Sequence, residues 1–128
     1  MSAILMPGGP VADAVLDDVR SRVDALRSAG VPPGLGTILV GDDSASEGYI
    51  RMKQAKAAEL GFASPHHHLP ASASQADLLA AIRSFNTDTA VDAVLVQHPI
   101  PAHLDFDAAL LAMDPDKDVD GLHPVNMG

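Results

Sequence analysis

The run Gly36-Thr37-Ile38-Leu39-Val40, with Ser44-Ala45-Ser46-Glu47 following it closely, decides how this chain folds. The first piece is rich in strand formers and lacks polar alternation, the pattern of a strand buried on both faces. The second has the spacing of a capping box and predicts a helix to Leu60, with Gly61 in the stop position. Ala93-Val94-Leu95-Val96 predicts another buried strand of the same kind. Upstream, apolar residues at 11, 15, 19, 23 and 26 follow a helical spacing behind Pro10. That helix should run to Ala29, where Gly30-Val31-Pro32-Pro33-Gly34 ends it. Phe62 to Leu69 reads as extended despite its histidines, and Ser74 opens a helix with Leu78, Ile82 and Phe85 on one face. Asp105 is placed to cap a short helix from Phe106 to Met113, and Asp114 to Gly128 reads as loop with one extended piece near Val119. Strands alternating with helices predict an α/β fold with a mostly parallel sheet flanked by helices. Residues 1–128 form one domain, without internal repeat or linker.

Composition narrows the function. Apolar residues make up 47% and charged residues 20%, an ordinary globular balance that excludes a disordered chain. The absence of cysteine removes disulfides, thiolate metal sites and cysteine nucleophiles. A net charge of −9 with 3% aromatics is a poor match for a phosphate backbone or single-stranded bases, so no nucleic-acid partner is expected. No apolar run approaches the roughly 18 residues of a membrane span. The start, Met1 to Met6, has no basic region and stops at Pro7-Gly8-Gly9-Pro10, unlike a secretion signal. The expected location is the cytoplasm.

Ligands of parallel α/β sheets bind beyond the carboxyl ends of the strands. Gly41 to Lys53 and Gln97 to Pro101 both lie just past predicted strands, so they are read as one site. Tyr49 and Lys53 are four apart on the predicted helix and share a face. Tyr49, the only tyrosine, offers an aromatic surface with a polar tip. A lysine over apolar surface, beside a polar partner, is a candidate for proton transfer. The same spacing also fits a solvated helix face with a tyrosine at its edge. Gln97 could donate and accept at the end of its strand, or simply satisfy loop backbone.

Two metal readings fail on pattern. From Asp116, an EF-hand loop has Asp at positions 1, 3 and 5 and Gly at 6, but Met127 where a bidentate glutamate is required. His66-His67-His68 suggests zinc or nickel, yet alternate residues of a strand face opposite ways. With no cysteine or adjacent carboxylate, a surface strand is the better reading, and no metal site is expected. Gly8-Gly9-Pro10 and Gly34-Leu35-Gly36 match no phosphate-binding fingerprint, so no nucleotide cofactor is expected on this chain.

Three motifs, in order, resemble the bifunctional methylenetetrahydrofolate dehydrogenase/methenyltetrahydrofolate cyclohydrolase family. They are Gly41-Asp42-Asp43-Ser44-Ala45-Ser46-Glu47-Gly48-Tyr49-Ile50-Arg51-Met52-Lys53, then Leu95-Val96-Gln97-His98-Pro99-Ile100-Pro101, then the acidic stretch from Asp114-Pro115-Asp116-Lys117-Asp118-Val119-Asp120-Gly121 to Asn126. The resemblance covers essentially the whole chain and is weakest before residue 30 and around the histidines. It implies a three-layer fold like the N-terminal domain of amino-acid dehydrogenases, serving as the catalytic, folate-binding half of a two-domain enzyme. Lys53 would be the central catalytic group, held by Gln97, with Tyr49 packing against and orienting the folate. Asp120 would grip the pterin, where a carboxylate can accept two adjacent N–H groups. Ser46 and Pro99 would add contacts to the substrate.

Such a parent, of one-carbon metabolism and purine biosynthesis, would oxidise 5,10-methylene- to 5,10-methenyltetrahydrofolate with NADP or NAD and hydrolyse the product to 10-formyltetrahydrofolate. The family's Rossmann-like cofactor domain would follow Gly128, and the parent is expected to be a homodimer. Departures from the family pattern are Ser44 for a frequent proline, Gly48 inside the helix, and His98 for an apolar residue. His98 would tune the lysine's proton affinity or face solvent. Two rival readings remain open on sequence: a complete short protein that binds folate without catalysis, and a small acidic metal-binding module.

Overall fold

The computed structural model describes residues 3–128; Met1 and Ser2, where the stretch read as no secretion signal begins, lie outside it. The elements are α1 (Gly8–Ser28), β1 (Leu35–Val40), α2 (Ser44–Leu60), β2 (His66–Leu69), α3 (Gln75–Thr87), β3 (Ala93–Val96) and α4 (Phe106–Ala112). A 3-10 turn (Pro115–Lys117) and a last helical turn, α5 (Pro124–Met127), complete the chain. The three strands are parallel in the order β2-β1-β3, with β1 central. Helices α2 and α3 pack on this sheet, α1 lies against α2 and α4 against α3.

Both faces of β1 are buried, as its unbroken apolar run requires. Ile38 and Val40 join Val94 and Val96 of β3 in a core with Leu78, Ile82 and Phe85 of α3. Alternation turns Thr37 and Leu39 the other way, where Leu39 meets Ile50 of α2 across a cavity. The histidine strand obeys the same rule. His67 stacks 4.5 Å from Phe85 on the α3 side, whereas His66 and His68 lie together with rings 6.2 Å apart. Burial holds the His66 imidazole below its ordinary proton affinity, with His68 and His67 acting in the same direction against its bond to Thr37.

Helix α1 follows its predicted span, but its apolar stripe is largely uncovered. Val23 is buried, while Val11, Val15 and Leu26 are exposed, because α2 is the main element packed against α1. The start of α2 also differs from expectation. Asp43, not Ser44, is the N-cap, accepting from the Ser46 N–H at 2.8 Å. A carboxylate is a stronger acceptor than a hydroxyl and is favoured at the positive end of a helix, which moves the cap back one residue. The other end is as predicted, with Gly61 in the left-handed region at φ 88°.

Helix α3 carries a complete capping box between Ser74 and Asp77. Ser74→Ala is expected to lower stability by about 1 kcal/mol, read as a lower denaturation midpoint with an unchanged slope. The far end of α3 is held by Lys117, whose Nζ donates to the carbonyls of Phe85 and Asp88. Asn86 donates to Ala112 and accepts from Asp114, so the acidic segment is anchored to both α3 and α4.

Candidate active site

Parallel pairing brings together two segments far apart in sequence. The ladder between β1 and β3 extends one bond past Val96, where the Gln97 N–H donates to Ile38 at 2.8 Å. The Gln97 side chain therefore emerges at the carboxyl edge of the sheet, beside α2. There the Lys53 Nζ donates to Gln97 Oε1 at 3.0 Å. The Gln97 Nε2 donates to the His98 carbonyl, also at 3.0 Å, which turns the amide oxygen towards the lysine. Lys53 and Gln97 are both half-buried, and a cavity of about 230 Å³ lined by Leu35, Ala57, Leu60 and Phe62 adjoins the lysine.

Tyr49 stands one turn before Lys53 and is 56% exposed, leaving much of its surface available to a ligand. Pro99 is exposed beyond Gln97. Ser46 is 2% exposed, and its hydroxyl and N–H hold the Asp43 carboxyl below the usual carboxylate range, against a small opposing effect of burial. Its visible work is at the helix cap, and no hydrogen bond joins it to Lys53 or Gln97. His98 is exposed at the loop, its ring edge-on to Phe106 at 4.9 Å.

The acidic segment runs beside β3. Asp118 forms an isolated parallel bridge with Val94, and the chain then turns, the Gly121 N–H donating to the Asp118 carbonyl at 3.3 Å, so Asp120 lies within that turn. Asp120 is exposed. The turn that presents it is built on Asp118, which sequence reasoning did not single out. Burial opposes ionisation of Asp118, but hydrogen bonds from Asn126 and from the N–H groups of His123, Leu122 and Gly121 hold its carboxyl below the usual range. Asp114 is also committed locally, capping the 3-10 turn through the Asp116 N–H. The acidic side chains thus serve separate partners, and the one three-donor group that converges among the described residues contains none of them.

Comparison with known proteins identifies the family. Residues 6–120 match the family described as tetrahydrofolate dehydrogenase/cyclohydrolase, catalytic domain. The bifunctional protein FolD 1 of Salinispora tropica is 63% identical over 123 residues, covering 96% of this chain and 40% of that protein. The bifunctional protein FolD of Syntrophotalea carbinolica is 54% identical over 128 residues, covering all of this chain and 44% of the relative. The chain thus spans about two fifths of these relatives' length. Among solved structures, the Trypanosoma brucei methylenetetrahydrofolate dehydrogenase-cyclohydrolase, complexed with NADP and an inhibitor, superposes with a TM-score of 0.94 at 37% identity, over 100% of this chain and 44% of that one. The Campylobacter jejuni FolD enzyme gives 0.92 at 36% identity, over 94% of this chain and 43% of its own. With its predicted α/β fold observed and nearly its full length matched, the chain belongs to the tetrahydrofolate dehydrogenase/cyclohydrolase family, in the part that forms the catalytic domain.

Proposed function

We propose that this chain is the folate-binding catalytic domain of an enzyme that oxidises 5,10-methylenetetrahydrofolate with NADP or NAD and hydrolyses the resulting methenyl compound to 10-formyltetrahydrofolate. The observation that carries this reading is the Lys53–Gln97 contact at 3.0 Å, at the strand edge where α/β sheets take their ligands. Lys53 is the amine that moves protons, Gln97 fixes its direction, and Tyr49 supplies the face on which the folate ring lies. Asp120 accepts from the pterin edge, with Pro99 and Ser46 bordering the substrate. The nicotinamide cofactor is held outside this chain, as are the main contacts of a homodimeric, cytoplasmic parent. No helix among the described residues is long and apolar enough to cross a membrane.

Titration of the 128-residue chain with 5,10-methenyltetrahydrofolate tests the assignment. Asp120→Ala should weaken binding by about 1.5–3 kcal/mol, the range for a hydrogen bond to a charged group. Asp116→Ala should change little, since Asp116 is exposed and its carboxylate holds no partner. Equal losses in the two variants would mean general collapse of the loop and would remove Asp120 as a ligand. NADP added to the same chain should give no binding heat; micromolar affinity would contradict the placement of the cofactor elsewhere.

A further inference from the structure

The histidine strand lies on the opposite flank of α2 from Lys53. The spacing of Glu47 and Gln54 sets both on the α2 face that borders a cavity of about 210 Å³, shared with Leu39, His66 and His68. Read from sequence, the histidines lacked an adjacent carboxylate; the fold supplies two. The turn after β1 and the first turn of α2 bring Asp42 and Glu47 over His68, and one donor atom from each of the three lies within 4.8 Å of the others. His68 is tethered there, its Nε2 donating to the Gly41 carbonyl at 2.8 Å and standing 3.7 Å from the Asp42 carboxylate. Neither Asp42 nor Glu47 is ion-paired with a lysine or arginine among the described residues, although Arg51 lines the same cavity one turn along α2 from Glu47.

We propose that Asp42, Glu47 and His68 form a binding site for a divalent transition cation, with zinc as the representative ion. One imidazole nitrogen with two carboxylates is a borderline donor set that suits such ions, whereas calcium takes six to eight oxygens. Three protein ligands leave a position for water, facing the cavity. The donors must draw in by roughly an ångström to reach the 2.0–2.2 Å bonds of zinc. All three side chains are partly or fully exposed and can turn to do so. A cation on His68 Nε2 must displace its bond to the Gly41 carbonyl, whereas His66 borders the cavity outside the three-donor group and His67 points to the other face of the sheet.

Calorimetric titration of the 128-residue chain with Zn²⁺ should show one site. Asp42→Asn, Glu47→Gln and His68→Ala should each weaken it at least tenfold, and His67→Ala should leave it within twofold. The two carboxylate variants are near-isosteric and at least partly exposed, so they probe ligation with little disturbance of the fold. X-ray absorption of the zinc-loaded chain should show a single imidazole in a mostly oxygen shell. Unchanged affinity in both carboxylate variants, an equal loss in His67→Ala, or a shell of two or more imidazoles would overturn the site and leave only a run of surface histidines.

Discussion

Gly34→Ala is expected to destabilise the domain by about 3–5 kcal/mol, a large part of the 5–15 kcal/mol that holds a typical domain together. A Cβ built on Gly34 would overlap the Ala90 carbonyl oxygen and stand 2.9 Å from its carbon. Both are backbone atoms, so no side chain can rotate away; the chain itself must move. That movement strains the entry to β1. The Gly34 N–H donates to the Asp92 carboxylate at 2.8 Å, and its carbonyl accepts from the Asp92 and Ala93 N–H groups. Each such bond contributes roughly 1 kcal/mol net, and more if a buried group is left unpaired. These bonds also align the starts of β1 and β3, so a shift there propagates to the register that delivers Gln97 to Lys53.

Gly48→Ala provides the opposite case within the same domain. Its Cβ would meet nothing within 4 Å, and the residue lies inside α2. Alanine there should stabilise by about 1 kcal/mol, the helical penalty of glycine. Urea denaturation of the two variants should therefore move the midpoint in opposite directions. A Gly34→Ala midpoint close to that of the unaltered chain would show that the Ala90 segment yields easily and that the close approach is not structural.

These two glycines show where residue pattern is informative. Glycine in a breaker such as Gly30 to Gly34 reads as the end of a helix, and α1 does end there. Nothing in the pattern says that the Ala90 backbone will press on position 34. The apolar runs of β1 and β3 and the face of α3 were legible because burial on a regular element leaves a periodic trace. The cap at Asp43 was missed by one residue, since aspartate and serine both cap and only geometry chooses between them. The stripe of α1 was legible as apolar but not as uncovered, because sequence does not say what packs against it. In the candidate site, Tyr49 and Lys53 were legible as neighbours through helical spacing. Gln97 was assigned to the same site as Lys53 by its place past a strand, but its direct hold on the lysine was implied only by resemblance, as 44 residues separate them. Asp118 and the Asp42–Glu47–His68 group were hidden for the same reason: parallel pairing, not local spacing, creates their neighbourhoods.

Lys53→Met, placed in a full-length two-domain member of this family, is expected to lower methenyltetrahydrofolate hydrolysis by about 10²–10⁴-fold, the usual contribution of a positioned proton-transfer group. In hydrolysis, water adds to the cationic N–C=N carbon and loses a proton, leaving a neutral hydroxyl adduct. The bond from that carbon to one nitrogen then breaks as that nitrogen takes up a proton, and the hydroxyl gives its remaining proton to solvent as the formyl C=O forms on the other nitrogen. One amine can carry the proton from the first step to the second, provided it stays fixed beside the reacting carbon. In the proposed site Gln97 would hold the amine in place, since its Oε1 accepts from Lys53 at 3.0 Å while its amide nitrogen donates to the His98 carbonyl. Methionine keeps most of the packing of the stem and removes the amine, so the fold should survive. Lys53→Arg keeps the positive charge but cannot give up its proton. It should be nearly as inactive if proton transfer is the role, and largely active if charge alone suffices. Gln97→Ala should produce an intermediate loss, since the lysine remains but its direction is no longer set. Dehydrogenase activity should fall less in all three variants, because hydride transfer needs the substrate held in place more than it needs a base. Hydrolysis by the Lys53→Met variant at the rate of the unaltered enzyme would remove Lys53 from the chemistry. Loss in Lys53→Met with full rescue by Lys53→Arg would instead make the residue an electrostatic partner of the cationic substrate, with water carrying the proton.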